Sequence, residues 1–238
     1  MCYELYEIQD FNPNLLTALL FGQSTWALLV KNLYESRLVA KSRLEQDRLE
    51  MMKEGLGDVL TKISGNKEVL ESPVVQKALL DPTSYVQTYA YEGDTFKVTF
   101  SPDFVKKLLN EAHFPIWAEN RPVVMVWLAV DTAQERHLVG ADTDPGIVAL
   151  INTLSKERGI PMLIPMLDLE DISKVSVTDV WGEFSSVLKQ ASLRYGADGV
   201  LVGRLSERSG KWRSEWSLVI ENQSYQWQAE DAGISDVM

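Results

Sequence analysis

The chain is poor in the residues that usually carry chemistry. A single cysteine, Cys2, stands among 238 residues. Without a second thiol no intrachain disulfide can form, and no thiolate cluster can hold zinc. The two histidines, His113 and His137, lie in different segments with no third ligand at metal spacing. Each reads as an ordinary surface or loop residue. Basic charge is also short: 23 Lys and Arg against 34 Asp and Glu give a formal net charge of −11. Such a surface repels phosphates and anionic lipids, which excludes nucleic acid as a partner unless folding gathers a basic patch. The one basic run, Lys31 to Arg48, is interrupted by Glu35, Glu45 and Asp47 and reads as a solvated helix face. No G-x-S-x-G elbow, H-E-x-x-H helix or EF-hand loop occurs, so no cofactor and no metal is expected.

A long apolar run is missing as well. The stretch Leu15 to Val30 is broken at Gln23, Ser24 and Thr25, and a membrane-crossing helix needs about 20 apolar residues. Its shape is that of an export signal: an apolar run to Phe21, then Thr25 and Ala27 three and one residues before a cut after Ala27. Glu4, Glu7 and Asp10 precede it where a signal wants positive charge. The alternative is an amphipathic helix packed into a cytoplasmic protein.

What is present is a globular pattern, with 45% hydrophobic residues. Residues 33–40 read as a strand. Residues 43–63 read as a helix with Leu49, Met52, Leu56, Val59, Leu60 and Ile63 on one face, ended by Gly65. Ser72 and Pro73 open a short helix that stops before Pro82. Tyr85 to Phe100, turning at Glu92-Gly93-Asp94, is a β-hairpin. Ser101 and Pro102 then start a helix with Phe104, Val105, Leu108, Leu109 and Ala112 on one face.

"FPIWAENRPVV" marks a boundary. Beyond it, Val123 to Val130 is an unbroken apolar strand of the kind covered on both faces. Asp144-Pro145 starts a helix that runs to Arg158 and ends at Gly159, and Pro161 to Leu167 reads as a second buried strand. Residues 179–195 read as a helix, followed by strands over 200–205, 212–221 and 225–229. The expected fold is α+β/α/β: a signal-like segment over 1–30, a small α+β unit over 31–114, and a mixed-sheet α/β domain over 121–230 that ends in an antiparallel meander.

"LRYGADGVLVGRL", Leu193 to Leu205, looks at first like a phosphate loop. The order is wrong for one: phosphate sits on the free N–H groups of a helix start, whereas Gly196 follows a helix and leads into a strand. Gly196 therefore closes the helix, Asp198-Gly199 turns the chain, and Gly203 allows a close neighbour. Two other groups are candidate binding residues. Asp168, Glu170 and Asp171 in "DLEDIS" follow a strand, where α/β sheets bind ligands, although no basic or histidine partner lies within sequence reach. A solvated acidic loop is the competing reading. Trp212, Trp216 and Trp227, among seven tryptophans, form either a sticky face or core.

The segments "LTKISG", "YVQTYAY", "PIWAENRPVVMVWLAVD", "RGIPMLIPMLDLED", "DVWGEFSSVLKQASLRYGADGVLVGRL" and "WRSEWSL" resemble an uncharacterised proteobacterial family, the domain of unknown function numbered two thousand and sixty-six, over Leu33 to Ala229. More remotely, "ASLRYGADGVLVGRL" resembles the amino-terminal domain of TolB and the outer-membrane lipoproteins that activate cell-wall synthases. The chain departs from the family at its acidic start and at its ending, "EDAGISDVM". The resemblance implies export, a periplasmic or envelope-associated place, and action by binding another envelope protein, with no stable membrane span once a signal is removed. Two other functions stay open: an enzyme or binder of a small molecule or metal built on Asp168, Glu170 and Asp171, and a cytoplasmic structural factor. The oligomeric state is not legible.

Overall fold

A computed structural model describes residues 28–30, 32–221 and 223–238. The signal-like segment up to Ala27 lies outside the described residues. In chain order the first half comprises β1 (Leu28–Leu29), β2 (Glu35–Val39), α1 (Glu45–Ser64), α2 (Pro73–Ala78), β3 (Val86–Glu92), β4 (Thr95–Phe100), α3 (Pro102–Glu111) and β5 (Asn120–Arg121). Strand β1 pairs antiparallel with β5, so the end of the Leu15–Val30 stretch is strand and not helix.

Strands β2, β4 and β3 form an antiparallel sheet in that order. Met51, Leu56, Leu60 and Ile63 of α1 pack against Phe96, Val98 and Phe100, with Val105 and Leu109 of α3 completing one core. This is the expected helical spacing meeting a period-two strand. Gly65 ends α1 in the left-handed conformation and returns its N–H to Thr61. Two residues leave the faces assigned to them: Leu49 and Phe104 are exposed, because each stands at the margin of its helix's apolar stripe. Arg43 and Arg48 lie over the Tyr91 and Tyr89 rings at 5.5 and 5.6 Å, so that basic run is not simply solvated.

The second half comprises β6 (Val124–Asp131), β7 (Arg136–Leu138), α4 (Pro145–Arg158), β8 (Met162–Leu163), α5 (Leu169–Lys174), α6 (Val177–Trp181), α7 (Ser185–Ser192), β9 (Gly199–Arg208), β10 (Lys211–Ile220) and β11 (Gln223–Asp231). The sheet runs β11-β10-β9-β6, and the far edge of β6 is shared by β7 and β8. β6 is parallel to β8 and β9, and the other pairings are antiparallel. The fold is thus α+β, a three-stranded antiparallel sheet followed by a six-stranded mixed one.

Every residue of β6 is buried, as the unbroken apolar run Val124 to Val130 requires, and the strand ends on a buried Asp131. On one face Met125, Trp127 and Val202 meet Val180, Leu188 and Ala191. Trp127 donates its Nε1–H to Ser192 at 2.9 Å. On the other face Val126, Leu128, Leu205 and Trp216 meet Ile147 and Ile151 of α4 and, from the end of the chain, Val237. The Val237 carbonyl accepts from Ser214 Oγ at 2.5 Å and from Trp216 Nε1 at 3.2 Å.

Two expected elements are shorter than their patterns suggest. The strand over Pro161–Leu167 is paired only at Met162–Leu163, since Pro161 and Pro165 have no N–H to give a ladder. The helix over 179–195 is two helices, interrupted where Glu183 takes a φ of 52° after Gly182. Gly196, at φ 65°, closes the short turn after α7, and Asp198 Oδ2 accepts the Val123 N–H at 2.8 Å at the entry to the sheet. The left-handed backbone at Gly196 is the reason for a glycine there.

The boundary segment holds the least expected feature. Arg121, within the boundary segment "FPIWAENRPVV", is fully buried between the two cores. Its Nη2 donates to the Lys62 carbonyl at 2.8 Å, and its Nη1 to the Arg158 and Gly159 carbonyls at 2.9 and 3.1 Å. Nε donates to Ala118 at 3.3 Å, and the guanidinium lies 4.3 Å from the Trp117 ring centroid. One side chain therefore caps the carboxyl ends of α1 and α4, where free carbonyls concentrate negative charge. Burial pushes both Arg121 and the neighbouring Lys62 below their ordinary pKa values.

Candidate functional site

The acidic cluster is not a solvated loop, and it does not follow directly on a strand. Asp168 lies five residues beyond β8 and is the N-cap of α5, its side chain accepting from the Glu170 and Asp171 N–H groups. A short acidic side chain before an apolar residue is a normal helix start, and its charge suits the helix dipole. Asp171 is almost completely buried.

The cluster also has the basic partners that the sequence reading denied it. Arg194, 26 residues from Asp168, places Nη1 2.7 Å from Oδ1 and Nη2 2.8 Å from Oδ2 in a two-pronged pair. The same Nη1 reaches Asp171 Oδ1 at 3.0 Å. Asp171 Oδ2 accepts the Tyr195 hydroxyl at 2.5 Å and the Leu167 N–H at 3.0 Å. Glu170 pairs with Lys174 one turn on, at 2.7 Å. Tyr195 OH in turn accepts the Met166 N–H at 3.0 Å. These bonds hold Leu167 at a positive φ of 52°, a conformation that costs a branched residue and needs such support.

Electrostatically the result is a set of committed carboxylates. The Arg194 guanidinium, aided by the Asp171 N–H, holds the Asp168 carboxyl well below the usual carboxylate range. Lys174 and then Arg194 lower Glu170. Burial and the bond to Asp171 raise the Tyr195 hydroxyl. Among the described residues no group of three or more His, Cys, Asp or Glu is arranged to hold a metal ion. Chemically the cluster can lock a loop and orient a surface.

The sign of the resulting pH dependence is fixed. Because Asp168 has a lower pKa folded than unfolded, its contribution to stability is present above the unfolded value, about 3.9, and is lost as pH falls below it. Arg194→Gln removes the largest cause of that shift. Thermal melts of the two proteins between about pH 6 and pH 3 should converge toward the acid end, the wild type losing Tm more steeply. Parallel curves would contradict this account.

Four large apolar side chains are exposed on the segments that carry the ion pair: Met166 at 57%, Leu169 at 84%, Ile172 at 57% and Leu193 at 63%. The three tryptophans do not form one face of this kind. Trp216 is buried and Trp212 packs against the same core, while Trp227 is 45% exposed and stacks on Trp216 with centroids 6.4 Å apart. Their positions relative to the acidic cluster differ as well: the tryptophans belong to β10 and β11, the carboxylates to α5.

A second polar group at the carboxyl end of β6 was not legible in the sequence. Asp131 binds Arg136 at 2.9 Å and Arg208 at 2.7 Å, and Arg136 lies 3.9 Å over the Trp181 ring. The two arginines hold Asp131 below its ordinary pKa. His137 Nε2 lies 3.2 Å from both oxygens of Asp144, the residue that precedes α4.

A family model described as Domain of unknown function (DUF8605) matches residues 27–118. A domain of unknown function is thus found, under a different number from that of the sequence resemblance and over the first core in place of Leu33 to Ala229. Among solved structures the chain is similar to the LpoB C-terminal domain from Salmonella enterica, with 14% identity and a TM-score of 0.34 over 47% of this chain and 83% of that one. It is also similar to the lipoprotein GNA1162 from Neisseria meningitidis, with 13% identity and a TM-score of 0.30 over 46% and 78% of the two chains. No curated protein matches.

Proposed function

We propose that this protein is a non-catalytic binding factor of the cell envelope, and that it meets its partner through the surface carried by α5 and the turn after α7. One observation carries the reading: Met166, Leu169, Ile172 and Leu193 stay exposed beside carboxylates that are already fully engaged by Arg194, Lys174 and Tyr195. Apolar side chains around a rigid, charge-paired centre fit the anatomy of a protein interface. Acid–base chemistry would need a carboxylate free to titrate, and Asp168 is held ionised. The envelope assignment rests on the signal-like shape of Leu15 to Ala27. No helix among the described residues is long and apolar enough to cross a membrane.

The test is site-specific photo-crosslinking in living cells with the full chain. A crosslinker at Leu169 should capture an envelope protein, while one at Leu80, equally exposed at 81% on the other core, should not. Adding Ile172→Glu should abolish the capture and change stability by no more than about 0.5 kcal/mol, as for other surface changes. Equal capture at both positions, or a chain found wholly in the cytosol, would overturn the proposal.

A further inference from the structure

The outer edge of β11 is unguarded. Natural edge strands are blunted by brevity, lysine, proline or a bulge, because a bare row of N–H and C=O groups invites another strand. β11, "QSYQWQAED", is nine residues long with no lysine, proline or bulge, and its charges, Glu230 and Asp231, stand only at its last two positions. Its register with β10 runs without a break from Trp212↔Asp231 to Ile220↔Gln223. Among the described residues no backbone hydrogen bond reaches it from any element but β10. Val237 lies beneath the sheet, where its carbonyl accepts from Ser214 and Trp216, and is not paired along this edge.

We propose that this edge pairs with the β11 of a second copy of the chain, antiparallel about a two-fold axis at Trp227, joining two six-stranded sheets into one. The strand is complementary to itself in that register. Trp227 meets Trp227, Tyr225 meets the small Ala229, Gln226 meets Gln228, and the acidic Glu230 and Asp231 meet the uncharged Ser224 and Gln223. A parallel pairing would set each acid against its own copy, which cross-strand energetics disfavours. The axis also extends an aromatic ladder, since Trp227 already stacks on Trp216. A closed two-fold contact uses the same patch on both copies, as this one does.

Sedimentation equilibrium of the purified full chain tests the proposal through a reversal of sign. Ser224 faces the uncharged Val219 within its own sheet. Across the axis it would face Glu230. Ser224→Glu should therefore raise the dimer dissociation constant about tenfold and Ser224→Lys should lower it by a similar factor, each change acting twice by symmetry. Trp227→Lys should abolish the dimer; the two Ser224 variants decide the matter if that change also harms the fold. A wild-type chain that stays monomeric to about 0.1 mM would overturn the proposal. So would a dimer that the Ser224 variants leave unmoved or shift in the same direction.

Discussion

Replacing Arg121 with alanine should cost about 4 kcal/mol of stability. The guanidinium makes four hydrogen bonds, to the carbonyls of Lys62, Ala118, Arg158 and Gly159, and it is fully buried. Alanine would leave those acceptors without their donor, empty the volume beside Trp117, and remove the cation from two helix ends at once. Arg121→Met separates these effects, because it restores most of the volume and none of the donors; it should recover a minor part of the loss. Arg121→Lys should do little better, since one ammonium cannot reach carbonyls on both α1 and α4. Urea unfolding measures all three. A second expectation concerns the shape of the transition: with the tie gone, the two cores should unfold in separate steps, visible as curves that differ between tryptophan fluorescence and circular dichroism. A loss under about 1 kcal/mol with a single shared transition would refute the role given to Arg121.

Gly203→Val should cost about 3 kcal/mol for the opposite reason, the addition of atoms. A side chain at this position would place its first carbon 2.7 Å from Leu128 Cδ1 and 2.8 Å from Trp216 Cε3. The indole cannot swing aside, because its Nε1–H is held by the Val237 carbonyl and its other face is stacked on Trp227. The strain must therefore be taken up by the sheet or by release of the tail. Urea unfolding should show the lost stability, and the tryptophan emission should move to longer wavelength as Trp216 meets water. Trp216→Leu should cost less in the Gly203→Ala background than in the wild type, since the two sites share one volume. Additive costs would show that the contact does not govern this part of the core.

These two positions also mark the limits of what the sequence disclosed. Local chemistry was legible: Gly65 and Gly159 end their helices in the left-handed region, Pro145 starts α4, and Gly93-Asp94 turns the hairpin. The apolar run of β6 announced a strand covered on both sides, and the glycines near 196 read correctly as a joint followed by a close contact. Each of these signals lies within a few residues of what it controls. Arg121 contacts carbonyls 59 and 37 residues away, and backbone carbonyls leave no mark in a sequence. The Arg194 pair leaves no local mark for the same reason, its carboxylate standing 26 residues upstream. Lys174 was within reach, four residues from Glu170, and the helical spacing of that pair was the signal that could have identified α5. The break at Glu183 had weaker warning, a single glycine at 182 in an otherwise helical pattern.

The place of Val237 has a consequence for how the chain is made. The first core draws its buried residues from Leu33 to Leu109, whereas the layer beneath Trp216 is closed by Val237. A nascent chain can therefore finish its first core while the second still waits for a residue more than a hundred positions later. Until Val237 arrives, Ser214 and the Trp216 indole lack the carbonyl that accepts their protons, so the second core closes last.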